Sequence, residues 1–444
     1  MPGNSAFGYP GGPVSKDGNQ RGPNVLLVTI DCMRRDRVSS YGYERQTTPF
    51  LDRLLDRALD CTSAHASSSW TCPSVISLLT GLYPHHHGGG IVPGEPKNLS
   101  KRNLPTTLPK DVPTIGDVLA ARGYATAAIG AVWNAHLSIP GRFRHMAMVE
   151  KPARRLVKLA MRWMKAQPGP FFLWLHLGDA HEPLDVPRSL RNVFGRVPRV
   201  PKVRRWDYTT SRSAVGSPEF HRYRDARIRL YDAAVRSADE SLGSLWDGLG
   251  AMGQRDRTLL VVTSDHGEEF WEHREDEMAS FTDPRDVFGT GHGHNLFQVH
   301  LLVPLVVAGP GVTARVESAN VSSVDVLPTL LQGAGAESPP TDGVSLLEGP
   351  VDAERAVVSE GIAYGHEKKS VVQGDFKLLS CPGDGYERVF ALRPDDRREQ
   401  AVSADPQVQE RLRASLPGEP VRLGDQVRGT EEIEAHLRDL GYIE

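Results

Sequence analysis

Two apolar runs decide how this chain folds: Val25-Leu26-Leu27-Val28-Thr29-Ile30, ending in Asp31, and Leu259-Leu260-Val261-Val262-Thr263-Ser264, ending in Asp265-His266-Gly267-Glu268. Each reads as a strand buried on both faces, the pattern of a parallel sheet. Open α/β sheets bind ligands beyond the carboxyl ends of their strands, so Asp31, Asp265 and His266 are expected to converge there. Asp31 taken alone would read as a turn or a helix cap. Asp265-His266-Gly267 puts three site-forming residues at one strand end.

A third stretch joins them: Ser69-Trp70-Thr71-Cys72-Pro73-Ser74-Val75-Ile76-Ser77-Leu78-Leu79-Thr80-Gly81. A hydroxyl here precedes a Pro-Ser turn and an apolar helix. Unpaired backbone N–H groups and the positive end of the helix dipole favour an attacking alkoxide and a bound anion at such a point, which makes Thr71 the candidate nucleophile. The same pattern also fits a plain N-cap followed by proline in the first turn. Two Asp, one His and a hydroxyl together suit a hard metal or zinc.

From Asn24 to the C-terminus the chain resembles the sulfatase family of the alkaline phosphatase superfamily. The resemblance rests on an ordered series: Asp31-Cys32-Met33-Arg34-Arg35-Asp36 with Tyr41-Gly42, Thr48-Pro49-Phe50-Leu51-Asp52, the Thr71 segment, Gly123-Tyr124-Ala125-Thr126 and Asp179-Ala180-His181-Glu182-Pro183. It continues through Thr263 to Glu268, Val303-Pro304-Leu305, Gly309-Pro310-Gly311, Asp325-Val326-Leu327-Pro328-Thr329-Leu330 and Phe376-Lys377-Leu378. It implies an α/β fold, a mostly parallel sheet flanked by helices with a small C-terminal α+β subdomain. The alternation of apolar strands and helical segments agrees. The expected division is an N-terminal disordered arm over 1–23, a catalytic domain over 24–345 and a C-terminal subdomain and tail over 346–444.

The departures from the family pattern point to chemistry. A sulfatase of this family carries a Cys or Ser, converted to formylglycine, where this chain has Thr71, and threonine cannot become that aldehyde. Cys72 is one position late and reads as a buried thiol. The family's arginine is Val75 here. A lysine is missing from Gly130-Ala131-Val132-Trp133-Asn134, and a second, near Gly291-His292-Gly293-His294, has given way to histidines. In the phosphodiesterase, pyrophosphatase and phosphoryl-transfer branches of the superfamily threonine attacks phosphorus, so the resemblance implies a phospho-threonine intermediate. It further implies one or two divalent ions, Zn, Mn, Ca or Mg. Asp31, Thr71, Asp265 and His266 would hold the first; Asp179, His181 and His294 or His292 would hold a second. His181, His273 or His294 would protonate the leaving oxygen or bind nonbridging oxygens, with Asn134 and His292 as substrate contacts.

The expected substrate is an anionic small-molecule ester, a phosphodiester or phosphonate monoester. Sulfate-ester hydrolysis, phosphoryl-type transfer and non-catalytic anion binding are the alternatives. From Arg188 through Arg204 and Arg205 no acidic residue occurs, and this basic insert either overhangs the site to bind the anion or is a solvated loop.

With 444 residues, 39% hydrophobic and a formal charge of −3, the chain can bury a large core and carries no bias toward a nucleic-acid polymer. No segment is apolar enough for a membrane span, and the opening residues lack a signal-peptide core, so a cytoplasmic enzyme is expected. Its four cysteines are too scattered for a disulfide framework. A helix is predicted from Tyr223 to about Trp246, stopped by Gly248 and Gly250.

Overall fold

The computed structural model describes residues 22–131, 137–149, 152–198 and 208–427. The arm predicted at the N-terminus, save its last two residues, lies outside the described residues, as do Asn134, Arg204, Arg205 and the final tail.

Nine strands among the described residues form the main sheet: β1 (Asn24–Ile30), β2 (Leu59–His65), β3 (Ala125–Gly130), β4 (His145–Met148), β5 (Phe171–Leu177), β6 (Thr258–Thr263), β7 (Leu302–Ala308), β8 (Arg315–Glu317) and β9 (Val321–Ser322). The order across the sheet is β8-β2-β7-β6-β1-β5-β3-β4, and β9 also pairs with β2. β1 lies parallel between β5 and β6, and only β7 runs against its neighbours.

Strand alternation sorts the core into two layers. Leu26, Val28 and Ile30 of β1 join Leu173, Leu175, Leu260 and Val262 on one face, while Val25 and Leu27 join Phe172, Trp174, Leu259 and Val261 on the other. This is the period-2 pattern of a sheet with apolar demand on both sides. Helices α2 (Ala153–Lys165) and α3 (Pro218–Ala251) cover the first face; α1 (Thr71–Thr80) and α4 (Val326–Gly333) cover the second.

Helix α3 is longer than predicted at both ends. Ser217 caps it by accepting from Phe220 N, with Pro218 in the first turn, and the chain passes through Gly248 and Gly250 without stopping. Gly248 serves helix packing instead: a Cβ there would stand 2.3 Å from Met161 Cε of α2.

The C-terminal subdomain is an antiparallel sheet of β10 (Ala356–Ser359), β11 (Lys369–Gln373), β12 (Phe376–Cys381), β13 (Tyr386–Leu392) and β14 (Glu399–Ala401), in that order. A hairpin in it turns at Gly374-Asp375, with Gln373 opposite Phe376 and Gly374 at a φ of 55° that suits glycine. Leu412 of α5 (Pro406–Ala414) packs on Val371, Leu378 and Val389 of this sheet. The following segment then returns to the main domain, where Val421 N donates to His85 O and Gly424 N to Gly88 O. No helix among the described residues is long and apolar enough to cross a membrane.

Candidate active site

The parallel register brings the ends of β1, β5 and β6 level, with Thr29 opposite both His176 and Thr263. Asp31, one residue past β1, and Asp265-His266, just past β6, therefore emerge at one edge. A chain of hydrogen bonds then fixes Asp31. Trp174 Nε1 donates to Thr29 Oγ1 at 3.0 Å, Thr29 Oγ1 lies 2.6 Å from His176 Nδ1, and His176 Nε2 lies 3.2 Å from Asp31 Oδ2.

Thr71 enters from below. Trp70 is extended, at φ −154°, so the helix begins at Thr71, and Trp70 makes no side-chain cap. Ser74 in the first turn donates to the Asp265 carbonyl, which ties α1 to the acidic loop. Thr71 Oγ1 comes to 3.2 Å from His266 Nε2. His266 Nδ1 faces the Gly267 carbonyl at 2.9 Å, and a carbonyl only accepts, so the proton sits on Nδ1 and Nε2 offers its lone pair to the site.

Around that lone pair lie Asp265 Oδ2 at 3.4 Å and Asp31 Oδ1 at 3.6 Å. Both carboxylate oxygens are buried without a hydrogen-bond partner. Acceptors gathered in the interior with no proton between them call for a cation. The carboxyl groups register the same tension. Against the upward push of burial, His181, His176 and His266 hold Asp31 well below its ordinary value, while burial and the Asp31 charge push Asp265 up. From His266 Nε2 the other three donors stand 3.2 to 3.6 Å away, against roughly 3.4 Å between ligands at tetrahedral zinc. The donor set fits a divalent metal held by Asp31, Thr71, Asp265 and His266.

A neighbouring group is one the sequence reading did not single out. Cys32, next to Asp31, takes a φ of 61°, a left-handed conformation that a non-glycine residue holds only under constraint from its surroundings. Its Sγ lies 3.6 Å from His292 Nδ1 and 3.9 Å from His266 Nδ1. Cys32, His181 and His292 each bring a donor atom within 4.8 Å of the others. Burial, with the charges of Asp31, Glu268 and Asp265, pushes the Cys32 thiol well up. Glu268 Oε2 lies 3.2 Å from His292 Nδ1.

The other expected residues make the following contacts. Asp179 accepts from Ala153 N at 2.7 Å and Ser237 Oγ at 3.0 Å, so its charge sits at the start of α2. His294 faces Glu277, its Nε2 at 3.1 Å. His273 stacks on Phe297 and lies 3.5 Å from Glu269, and despite the downward push of burial that carboxylate raises it to about 9. Val75 is buried in the core beneath α1, and burial pushes the Cys72 thiol up to about 12. Of the basic insert, Leu190 and Phe194 pack against Ala233 and Ala234 of α3.

A mostly parallel sheet covered on both faces, with carboxylates, an imidazole and a helix-borne hydroxyl at its strand ends, is the frame of a metallohydrolase of anionic esters. The family model for sulfatases matches residues 23–336, and the chain belongs to the sulfatase family. It is a hydrolase acting on sulfate or phosphate esters, in a family whose enzymes are metal-dependent. Arylsulfatase K of Bos taurus is 27% identical over 397 residues, covering 74% of this chain and 68% of the relative. An N-acetylgalactosamine-6-O-sulfatase of Bacteroides thetaiotaomicron is 33% identical over 131 residues, 29% of this chain and 24% of the relative. Among solved structures, one in complex with its substrate D-glucosamine-2-N,6-O-disulfate superposes with a TM-score of 0.70 at 18% identity, covering 95% of this chain and 98% of that one. The phosphonate monoester hydrolase of Agrobacterium radiobacter gives 0.65 at 18% identity, covering 88% and 94%. At these identities the likeness is one of fold.

Proposed function

We propose that the chain hydrolyses a phosphate ester, either a phosphodiester or a phosphonate monoester, with Thr71 as the nucleophile. The observation that carries this reading is the Thr71 hydroxyl, 3.2 Å from the His266 Nε2 lone pair at the opening of a buried helix. Cys72, the adjacent thiol, is buried and belongs to the core. Thr71 Oγ attacks phosphorus, the bond to the leaving oxygen breaks, and water then releases the phosphoryl group from Thr71. A divalent ion among Asp31, Thr71, Asp265 and His266 supplies a lowered hydroxyl pKa and positive charge against the transferring group. The N-terminal amides of α1 face the same anion.

One ion is assigned to that set, and the Cys32, His181 and His292 set is the place for a second. Asp179 and His294 are left out of both, because Asp179 accepts from Ala153 N and Ser237 and His294 gathers with Glu269 and His300 instead. With one ion bound, His181 and His292 are the groups nearest to donate a proton to the leaving oxygen. Similarity to arylsulfatase K favours sulfate esters as a second reading.

Matched nitrophenyl sulfate, phosphate, phosphodiester and phosphonate substrates decide between them, assayed with Zn, Mn, Mg and Ca on the wild type and Thr71→Ala. Diester or phosphonate turnover that vanishes in the variant supports the proposal. Dominant sulfate turnover overturns it.

A further inference from the structure

We propose that a structural zinc ion binds among Glu269, His294 and His300, outside the Thr71 set. Glu269 opens a two-residue strand paired with Thr290–Gly291, His294 follows that partner strand, and His300 lies in the short helix Gln298–Leu301. All three are buried, and each brings a donor atom within 4.8 Å of the other two.

The second observation is the state of the two imidazoles. His300 Nε2 lies 3.0 Å from the Gly291 carbonyl, which only accepts, so the proton is on Nε2; the same atom lies 3.8 Å from Glu269 Oε2, and Nδ1 is the other ring position. His294 Nε2 lies 3.1 Å from Glu277 Oε1 and is fixed the same way. Both Nδ1 atoms are buried with no hydrogen-bond partner. Orphaned ring nitrogens in a core are costly, and this pair stands beside a carboxylate.

Glu269 is oriented by His273 N, at 2.7 Å from Oε1, and by Asn295 Nδ2, at 3.2 Å from Oε2. His273 also faces it, with Nδ1 at 3.5 Å from Oε1. An ion-pair network of His273 and His294 with Glu269 and Glu277 accounts for the carboxylates. It leaves Nδ1 of His294 and of His300 without partners, whereas a metal accounts for every group at once. Two imidazoles and one carboxylate are a donor set that zinc takes with a water in the fourth place. Glu277 holds His294 from behind on its other nitrogen, as metal-bound histidines are held, and rotation of the His300 ring turns its Nδ1 toward Glu269. Side-chain rotation brings the donors to the roughly 3.4 Å spacing of a tetrahedral site. Binding replaces any proton on the ring nitrogens, which leaves to solvent. The ion would clasp the segment after Asp265-His266 to the loop that carries His292.

Zinc content of purified full-length protein tests this. A variant with Asp31→Ala, Asp265→Ala and Cys32→Ala disables both sets described above and is expected to retain one zinc per chain, and His300→Gln added to it removes that ion. Unchanged zinc content on adding His300→Gln overturns the proposal. Where that variant does not fold, the wild type decides: crystals soaked in zinc are expected to show an anomalous peak between the three side chains, and its absence overturns the site. The Thr71 reading has no part in either outcome.

Discussion

His176 Nε2 stands 3.2 Å from Asp31 Oδ2, and this contact turns the other oxygen, Oδ1, toward His266. The imidazole touches no atom of the proposed reaction and acts through Asp31. His176→Ala is expected to weaken divalent-ion binding by about 10–100-fold, the usual cost of removing a partner behind a ligand. Titration of the apoprotein with metal measures it, and turnover at saturating metal should fall much less than at limiting metal.

Replacing Thr71 removes the attacking oxygen. Thr71→Ala is expected to lower kcat by at least about a thousandfold, as loss of a nucleophile does. Thr71→Ser keeps the hydroxyl and should retain measurable turnover. Equal loss in both would mean that the methyl group, and with it packing, matters more than the nucleophile.

His87 gives the fold an acid sensitivity. Its Nε2 lies 3.0 Å from Ser77 Oγ, and its Nδ1 accepts from Gly89 N at 3.1 Å, so the neutral ring is fully used and a second proton would break the Gly89 bond. Burial pushes it down to about 3. A histidine with a depressed folded value stabilises fully above its unfolded pKa and loses that contribution as pH falls toward the folded one. Unfolding free energy should therefore drop by about 1.4 kcal/mol per pH unit below roughly 6.5 from this group alone. Denaturant melts of wild type and His87→Gln between pH 7 and 4 should converge as the pH falls.

Gly267 has no room for a side chain: a Cβ would stand 2.0 Å from the Val299 carbonyl oxygen, a backbone atom. Gly267→Ala is expected to cost about 1–3 kcal/mol of stability. Because Gly267 O positions His266 Nδ1, metal affinity should fall with it, and calorimetry with and without metal reads both.

Most of this architecture can be read from local pattern. The runs ending at Asp31 and Asp265 are apolar on both faces, which only a central parallel strand requires, and such strands deliver their last residues to one edge. Thr71 is legible because a helix start is written in sequence. What stayed hidden depends on contacts between remote segments. Cys32 carries no spacing signal, and its φ of 61° comes from the turn the whole site imposes. Asp179 is expected as a ligand from its motif, and only the fold shows that α2 begins against it, with Ala153 N donating to its carboxylate. His292 and His294 share a glycine-rich loop, and only the fold shows that the first faces Cys32 and the second Glu277. Gly248 carries a stop signal that close packing on Met161 overrides.

Asp31 and Asp265 stand on adjacent strands although more than two hundred residues separate them along the chain. Neither half of the protein contains the Thr71 set. Pairing between such remote segments is slow to form, and the cation pocket comes into being only when it is complete. An ion held by the Thr71 set is thus a certificate of finished folding: truncated or half-assembled chains lack that set, and its occupancy can be read as a quality assay for the fold itself.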